Sequence, residues 1–248
     1  MIQKLLIAGM LSGFLISLAA FGYARLFAEP TIELAISMEQ DADAHGTHPH
    51  EETISRNVQR NAGLFTGIAS FSVALGGLLA ILVAFTHGRI GVGTRASVWL
   101  VTAASYASVV VLPQLKYPAS PPGVGAAETI GSRTELFFIA VLVSIASVIL
   151  SIWVTLQLGR YLSFSKSALV GTVVFIGLAS LAHLALPTVD EVPDAFPREL
   201  LQEFRLHAWI LQVIIWGGLG VVFAEMAKYL VDNSDLDNHA VRYISPNA

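Results

Sequence analysis

The sequence LFFIAVLVSIASVILSIWVTLQL, residues 136–158, contains no charged side chain. A helix advances about 1.5 Å per residue, so about 20 apolar residues match the roughly 30 Å hydrocarbon core of a bilayer. Lipid offers no partner to backbone N–H and C=O groups, so a segment of this kind must be helical. Outward along the chain the same pattern recurs at about residues 5–24, 62–86, 97–112, 168–186 and 208–230. The chain therefore reads as an all-α, polytopic membrane helix bundle, a single integral membrane domain over 1–248 with six transmembrane helices. Hydrophobic residues make up 54% of it and charged residues 13%, against about 25% charged in an average soluble domain. Composition thus overrides length, which alone would permit one or two soluble domains. Lys4 followed by the first apolar run resembles a secretory signal. That run is longer than a typical signal core, and the small-x-small cleavage pattern near residues 24–28 is poor, so an uncleaved helix is expected.

Basic residues orient such bundles. With six spans, the amino terminus, the loops near 87–95 and 157–166, and the carboxyl terminus share one side. That side carries Lys4, Arg89, Arg95, Arg160, Lys166, Lys228 and Arg242. The opposite side has as many basic residues but spreads them over longer loops, so both termini are expected in the cytoplasm. Fourteen of the eighteen acids then lie on the outer side, whose loops are 27–60, 113–134 and 187–206. An anionic surface raises the local concentration of cations. There are no cysteines, which removes disulfides, thiolate metal sites and iron–sulfur clusters. Any metal must be held by His, Asp, Glu or carbonyl oxygen.

The first outer loop includes DADAHGTHPHEE, residues 41–52, where His45, His48 and His50 stand among Asp41, Asp43, Glu51 and Glu52. This loop is irregular and rich in histidine and acid. Imidazole and carboxylate together suit borderline divalent metals such as Co, Ni and Zn. The plainer alternative is a solvated acidic loop with incidental histidines. Gly46 and Pro49 keep it irregular, so it is expected to collect metal rather than to form a fixed site. Just upstream, Pro30 is expected to break the first helix, leaving Ile32, Leu34, Ile36 and Met38 as a short amphipathic segment on the membrane surface.

Within the spans, Gly63 and Gly67 form a small-xxx-small pattern that lets helices approach. Gly76 and Gly77 offer a second contact or a flexible point. The third span is expected to end at Leu112-Pro113, with Thr102, Ser105, Tyr106 and Ser108 giving it a polar interior. Ser144, Ser147 and Ser151 share one face of the fourth, where packing is favoured over a polar path. His183 lies near the outer end of the fifth span. An intramembrane histidine is costly when charged, and ligand, proton carrier and satisfied core residue stay open as its roles. A short helix is expected at 198–205, and His207 opens the sixth span. Spans five and six are antiparallel neighbours, so His183 and His207 are expected at comparable depth. Asp190 and Glu191, in the third outer loop, stand close to the membrane surface. Asp190, Glu191, His183 and His207 are therefore the more constrained candidate metal ligands, and His45, His48 and His50 the collecting ones.

The outer loops carry a resemblance. VQRNAGL (58–64), LKYPASPPGVGAAETIGSRT (115–134) and LPTVDEVPDAFPRELLQEFR (186–205), with ARLFAEPTIELAISMEQ (24–40), are similar to the CbtA family of probable cobalt transporter subunits. The likeness spans essentially the whole chain, and VDEVPDAFP is its most specific part. The resemblance implies a bacterial inner-membrane permease subunit for cobalt(II), linked to cobalamin biosynthesis. It also implies a small partner, CbtB, with one membrane helix. No organic cofactor and no nucleic-acid partner is expected, and a homo- or hetero-oligomer is left open.

Two other classes compete with transport. One is a non-transporting structural or accessory subunit of a larger membrane complex. The other is a redox subunit with His183 and His207 as axial haem ligands. No GxSxG, HExxH or GxxxxGK[ST] motif is present, so neither an intramembrane hydrolase nor direct use of ATP is expected.

Overall fold

The computed structural model describes residues 2–43, 55–89 and 91–244. Among the described residues six helices are long and apolar enough to cross a membrane: α1 (Ile2–Gln40), α2 (Arg56–Thr86), α3 (Thr94–Lys116), α4 (Ile130–Leu158), α5 (Phe164–Ala185) and α6 (Arg198–Val231). The helical backbone of α1 continues to Asp43 and that of α6 to Ile244. No strand occurs among the described residues. Each expected span falls on one of these helices. The difference lies at the ends, where helix runs on through polar sequence.

Pro30 does not end α1, and Pro113 does not end α3. Both corrections have the same cause. A π-helical turn, Ala24–Ala28, stands just ahead of Pro30, and Glu29 N–H reaches back five residues to the Ala24 carbonyl. A second, Ala107–Val111, stands just ahead of Leu112-Pro113, and Leu112 N–H reaches the Ala107 carbonyl. A proline inside an α-helix lacks one N–H and its ring strikes the carbonyl four residues back. The widened turn moves that carbonyl aside, so each helix passes through its proline.

The helix on both sides of Pro30 is tied to the start of α2. Arg25 Nε donates to Asn61 Oδ1 at 3.0 Å, Arg56 donates to Glu29, and Arg60 Nη1 lies 3.5 Å from Glu33 Oε1. Positions 25, 29 and 33 repeat every four residues and so share one helical face. That face meets the start of α2. Glu29 is buried, so its pairing with Arg56 is obligatory.

The chain packs as two compact units. One comprises Met1–Leu34, Gln40–Ala103 and Leu206–Ala248; the other comprises Ala35–Glu39 and Ala104–Arg205. In the first, Leu5, Ala8, Gly9, Ser12, Gly13, Ser17 and Ala20 form the buried stripe of α1 at helical spacing. It crosses α2 on bare backbone. A Cβ on Gly9 would overlap the Gly76 carbonyl, and one on Gly13 would overlap that of Ser72. In lipid, apolar helices gain from close approach and dispersion rather than from leaving water. The expected Gly63/Gly67 contact is not where the helices meet: a Cβ at Gly67 would touch nothing within 4 Å, and one at Gly63 only its own turn. The crossing lies deeper, at Ser72 and Gly76. From α6, Gly218 receives the Ile16 side chain and Gly220 the Trp99 ring.

In the second unit, Gly171 of α5 lets Thr155 and the Ser151 carbonyl of α4 come close. Ser151 Oγ donates to the Gly171 carbonyl at 3.1 Å, whereas Ser144 and Ser147 donate to their own helix at 2.7 and 2.8 Å. The serine stripe is thus buried and satisfied, which favours packing over a polar path.

Candidate functional site

The loop after α3, residues 117–129, begins with Tyr117 and Pro118 and continues through Pro121 and Pro122 to Gly123 and Gly125, whose φ angles are +75° and +100°. At Gly125 two needs coincide. The backbone is left-handed, and a Cβ there would strike the Arg133 guanidinium. Glycine therefore lets Arg133 lie flat on the turn, where its Nη2 donates to the Ala126 carbonyl at 3.1 Å.

Glu191, in the connection between α5 and α6, closes on that turn. Its Oε2 accepts from Thr129 Oγ1 at 2.6 Å and from Ala126 N–H at 3.2 Å, and Arg133 Nε lies 3.4 Å away. The Thr129 hydrogen bond first, then the Ala126 N–H and the Arg133 charge, hold this carboxyl below the usual glutamate range. Three further contacts tie the connections and the helix ends beside them. Tyr117 O–H donates to the Pro187 carbonyl at 2.8 Å, Lys116 Nζ to the His183 carbonyl at 2.8 Å, and Arg205 Nε to the Ala119 carbonyl at 3.2 Å.

These contacts enclose a cavity of about 500 Å³. Gln114, Tyr117, Arg133, Asp190, Glu191 and Arg205 supply most of its polar wall, and Val124, Ile130, Phe137, Val189 and Val192 the apolar part. A second cavity, about 460 Å³, lies among α3, α4 and α5 and is mainly apolar; Ser144, Ser147, Ser180, Lys116 and His183 are its polar members.

The candidate ligands are distributed as follows. Asp190 and Glu191 line the first cavity together. His183, exposed in the last turn of α5, borders the second. His207 belongs to the other compact unit, where its Nδ1 lies 2.6 Å from the Tyr23 hydroxyl. Among the described residues no group of three or more His, Asp or Glu side chains is placed to hold one metal ion. His45, His48 and His50 lie outside the described residues. Gln114, Tyr117 and Arg205 also belong to the cavity wall, and no motif in the sequence marks them. The glycine pair before Arg133 is the sequence signal that a side chain lies against that turn.

A family model described as probable cobalt transporter subunit (CbtA) matches residues 2–228. No curated protein and no solved structure matches the chain.

Proposed function

The chain belongs to the CbtA family of probable cobalt transporter subunits, and from that premise we propose that it is the permease subunit of a cobalt(II) uptake system. In this reading the system feeds cobalamin biosynthesis and sits in the bacterial inner membrane, with both termini in the cytoplasm. The observation that carries it is the cavity bearing Asp190 and Glu191 at the ends of membrane-length helices. The cavity end faces outward. His45, His48 and His50 collect metal there, since a free imidazole is largely neutral near pH 7 and able to ligate. Asp190 makes the first contact within the cavity, because Glu191 Oε2 already accepts two hydrogen bonds and is paired with the Arg133 charge. His183 and His207 serve as later ligands. Each contact must be weak enough to release the ion. The chain moves its substrate without converting it, and no side chain is assigned a catalytic role.

A subunit needs a complex, and the proposed partner is a small CbtB-like protein with one membrane helix. The deciding experiment is cobalt and nickel accumulation under limiting metal in cells with and without the gene. Unchanged accumulation of both would overturn the permease reading. The second reading is a non-transporting accessory subunit, which would dock through α5, since only 6% of the apolar window of that helix is buried within the chain. Co-purification with a large complex, together with absence of metal flux in liposomes, would decide for it.

A further inference from the structure

The cavity beside Asp190 and Glu191 has a composition that a bare dication does not explain. Arg133 and Arg205 stand in the same wall, so two guanidiniums offset two carboxylates. Glu191 already spends its Oε2 on Thr129, the Ala126 N–H and Arg133. A hydrated divalent ion arriving here meets positive charge as readily as negative. The volume, about 500 Å³, is that of a small-molecule site rather than of a single ion. A guanidinium presents paired N–H donors whose geometry fits a carboxylate. Gln114 Oε1 is buried and has no hydrogen-bond partner among the described residues, so it can accept from a ligand hydroxyl. The apolar members, Val124, Ile130 and Phe137, suit a carbon skeleton.

We propose that this cavity takes a divalent metal ion already held by a small carboxylate chelator, as a complex of low net charge. Carboxylate arms of the chelator meet Arg205, with Arg133 behind it. A hydroxyl meets Gln114, and Asp190 approaches the metal as an added oxygen ligand. The chelator brings most of the ligands, so the protein needs to offer few. Transport of the complex rests on the permease reading; binding in the cavity stands apart from it.

The test uses the full chain in nanodiscs, titrated calorimetrically with cobalt(II)–citrate, citrate alone and cobalt(II) chloride. The complex should bind more tightly than either component. Arg205→Gln should weaken the complex about tenfold or more, the scale of a lost charge-assisted hydrogen bond, and leave bare cobalt(II) unchanged. Arg205→Lys should recover part of the loss. Equal or tighter binding of bare cobalt(II), or complex binding indifferent to Arg205→Gln, would overturn the proposal, and citrate alone binding as tightly as the complex would overturn its metal half. Arg205 also holds the Ala119 carbonyl, so a thermal melt accompanies the titration. Should that variant fail to fold, Gln114→Leu takes its place, with several-fold weakening of the complex expected and unchanged binding counting against the proposal. Proteoliposomes separate the two readings. Accumulation from bare cobalt(II) but not from the complex sinks this proposal and leaves the permease standing. Accumulation from neither sinks the permease, and the titration still decides the cavity.

Discussion

Gly9 and Gly76 face each other across the α1–α2 crossing with no side chain between them: a Cβ on either would overlap the other's carbonyl oxygen. Gly67, on the same helix as Gly76, has open space where its Cβ would be. The two positions should therefore respond oppositely to one methyl group. Gly76→Ala should destabilise the protein by about 1–3 kcal/mol or more, as overpacking does. Gly67→Ala should be neutral or stabilising by up to about 1 kcal/mol through helix propensity. Thermal melting of both variants in one detergent checks this, and equal shifts would place the crossing elsewhere.

Buried and exposed ion pairs along the upper part of α1 should also differ. Glu29 is buried against Arg56, whereas Glu33 is exposed and lies 3.5 Å from Arg60. Glu29→Ala takes the carboxylate from a partly exposed Arg56 and should cost about 1.5–3 kcal/mol. Glu33→Ala should cost under about 1 kcal/mol. Denaturant midpoints for the two variants test the ranking.

The clamp at Glu191 predicts a pH dependence with a definite sign. Its folded carboxyl titrates below the ordinary value because Thr129, Ala126 and Arg133 favour the anion. The unfolded chain therefore takes up this proton first as pH falls. The stabilisation is present above the ordinary glutamate value and is lost as pH drops through the lowered, folded one. In Glu191→Gln this acid-side loss should shrink, so wild type and variant should converge in melting temperature toward low pH. A constant gap between them across the whole range would assign the effect to packing instead.

Transport should separate collection from passage. Removing His45, His48 and His50 together should lower uptake at scarce metal and leave maximal flux nearly intact. Asp190→Asn with Glu191→Gln should lower maximal flux itself. Concentration-dependent uptake in cells reads both, and complete loss of transport in the triple histidine variant would reverse the order of importance.

The helices were legible because the property that makes them is local. Residues 136–158 carry no charge and are mostly apolar, and hydropathy needs no partner to be read. What sequence left obscure depends on partners far along the chain. A small-xxx-small spacing occurs at Gly63 and Gly67 and also at Gly9 and Gly13, and only packing tells which one touches another helix. Glu191 looked like a free ligand because Thr129 and Arg133, which occupy it, lie roughly sixty residues earlier. His207 likewise meets Tyr23 from the opposite end of the chain. Pro30 and Pro113 resemble helix ends only under the proline penalty for α-helical hydrogen bonding, and the turn ahead of each proline is wider than that.

That wider turn sets the angular phase of everything beyond it. A π turn amounts to one residue added to an α-helix, and one residue corresponds to about 100° of rotation. In α1 the extra residue lies between the stripe that packs in the membrane, Leu5 to Ala20, and the stripe that bears Glu29 and Glu33. Deleting one residue from Ala24–Ala28 would swing both glutamates away from Arg56 and Arg60 and bring Pro30 against an α-helical carbonyl, while the packing of Gly9 on Gly76 stayed in register. The two halves of the helix are in this sense separately indexed, and their alignment hangs on a single residue count.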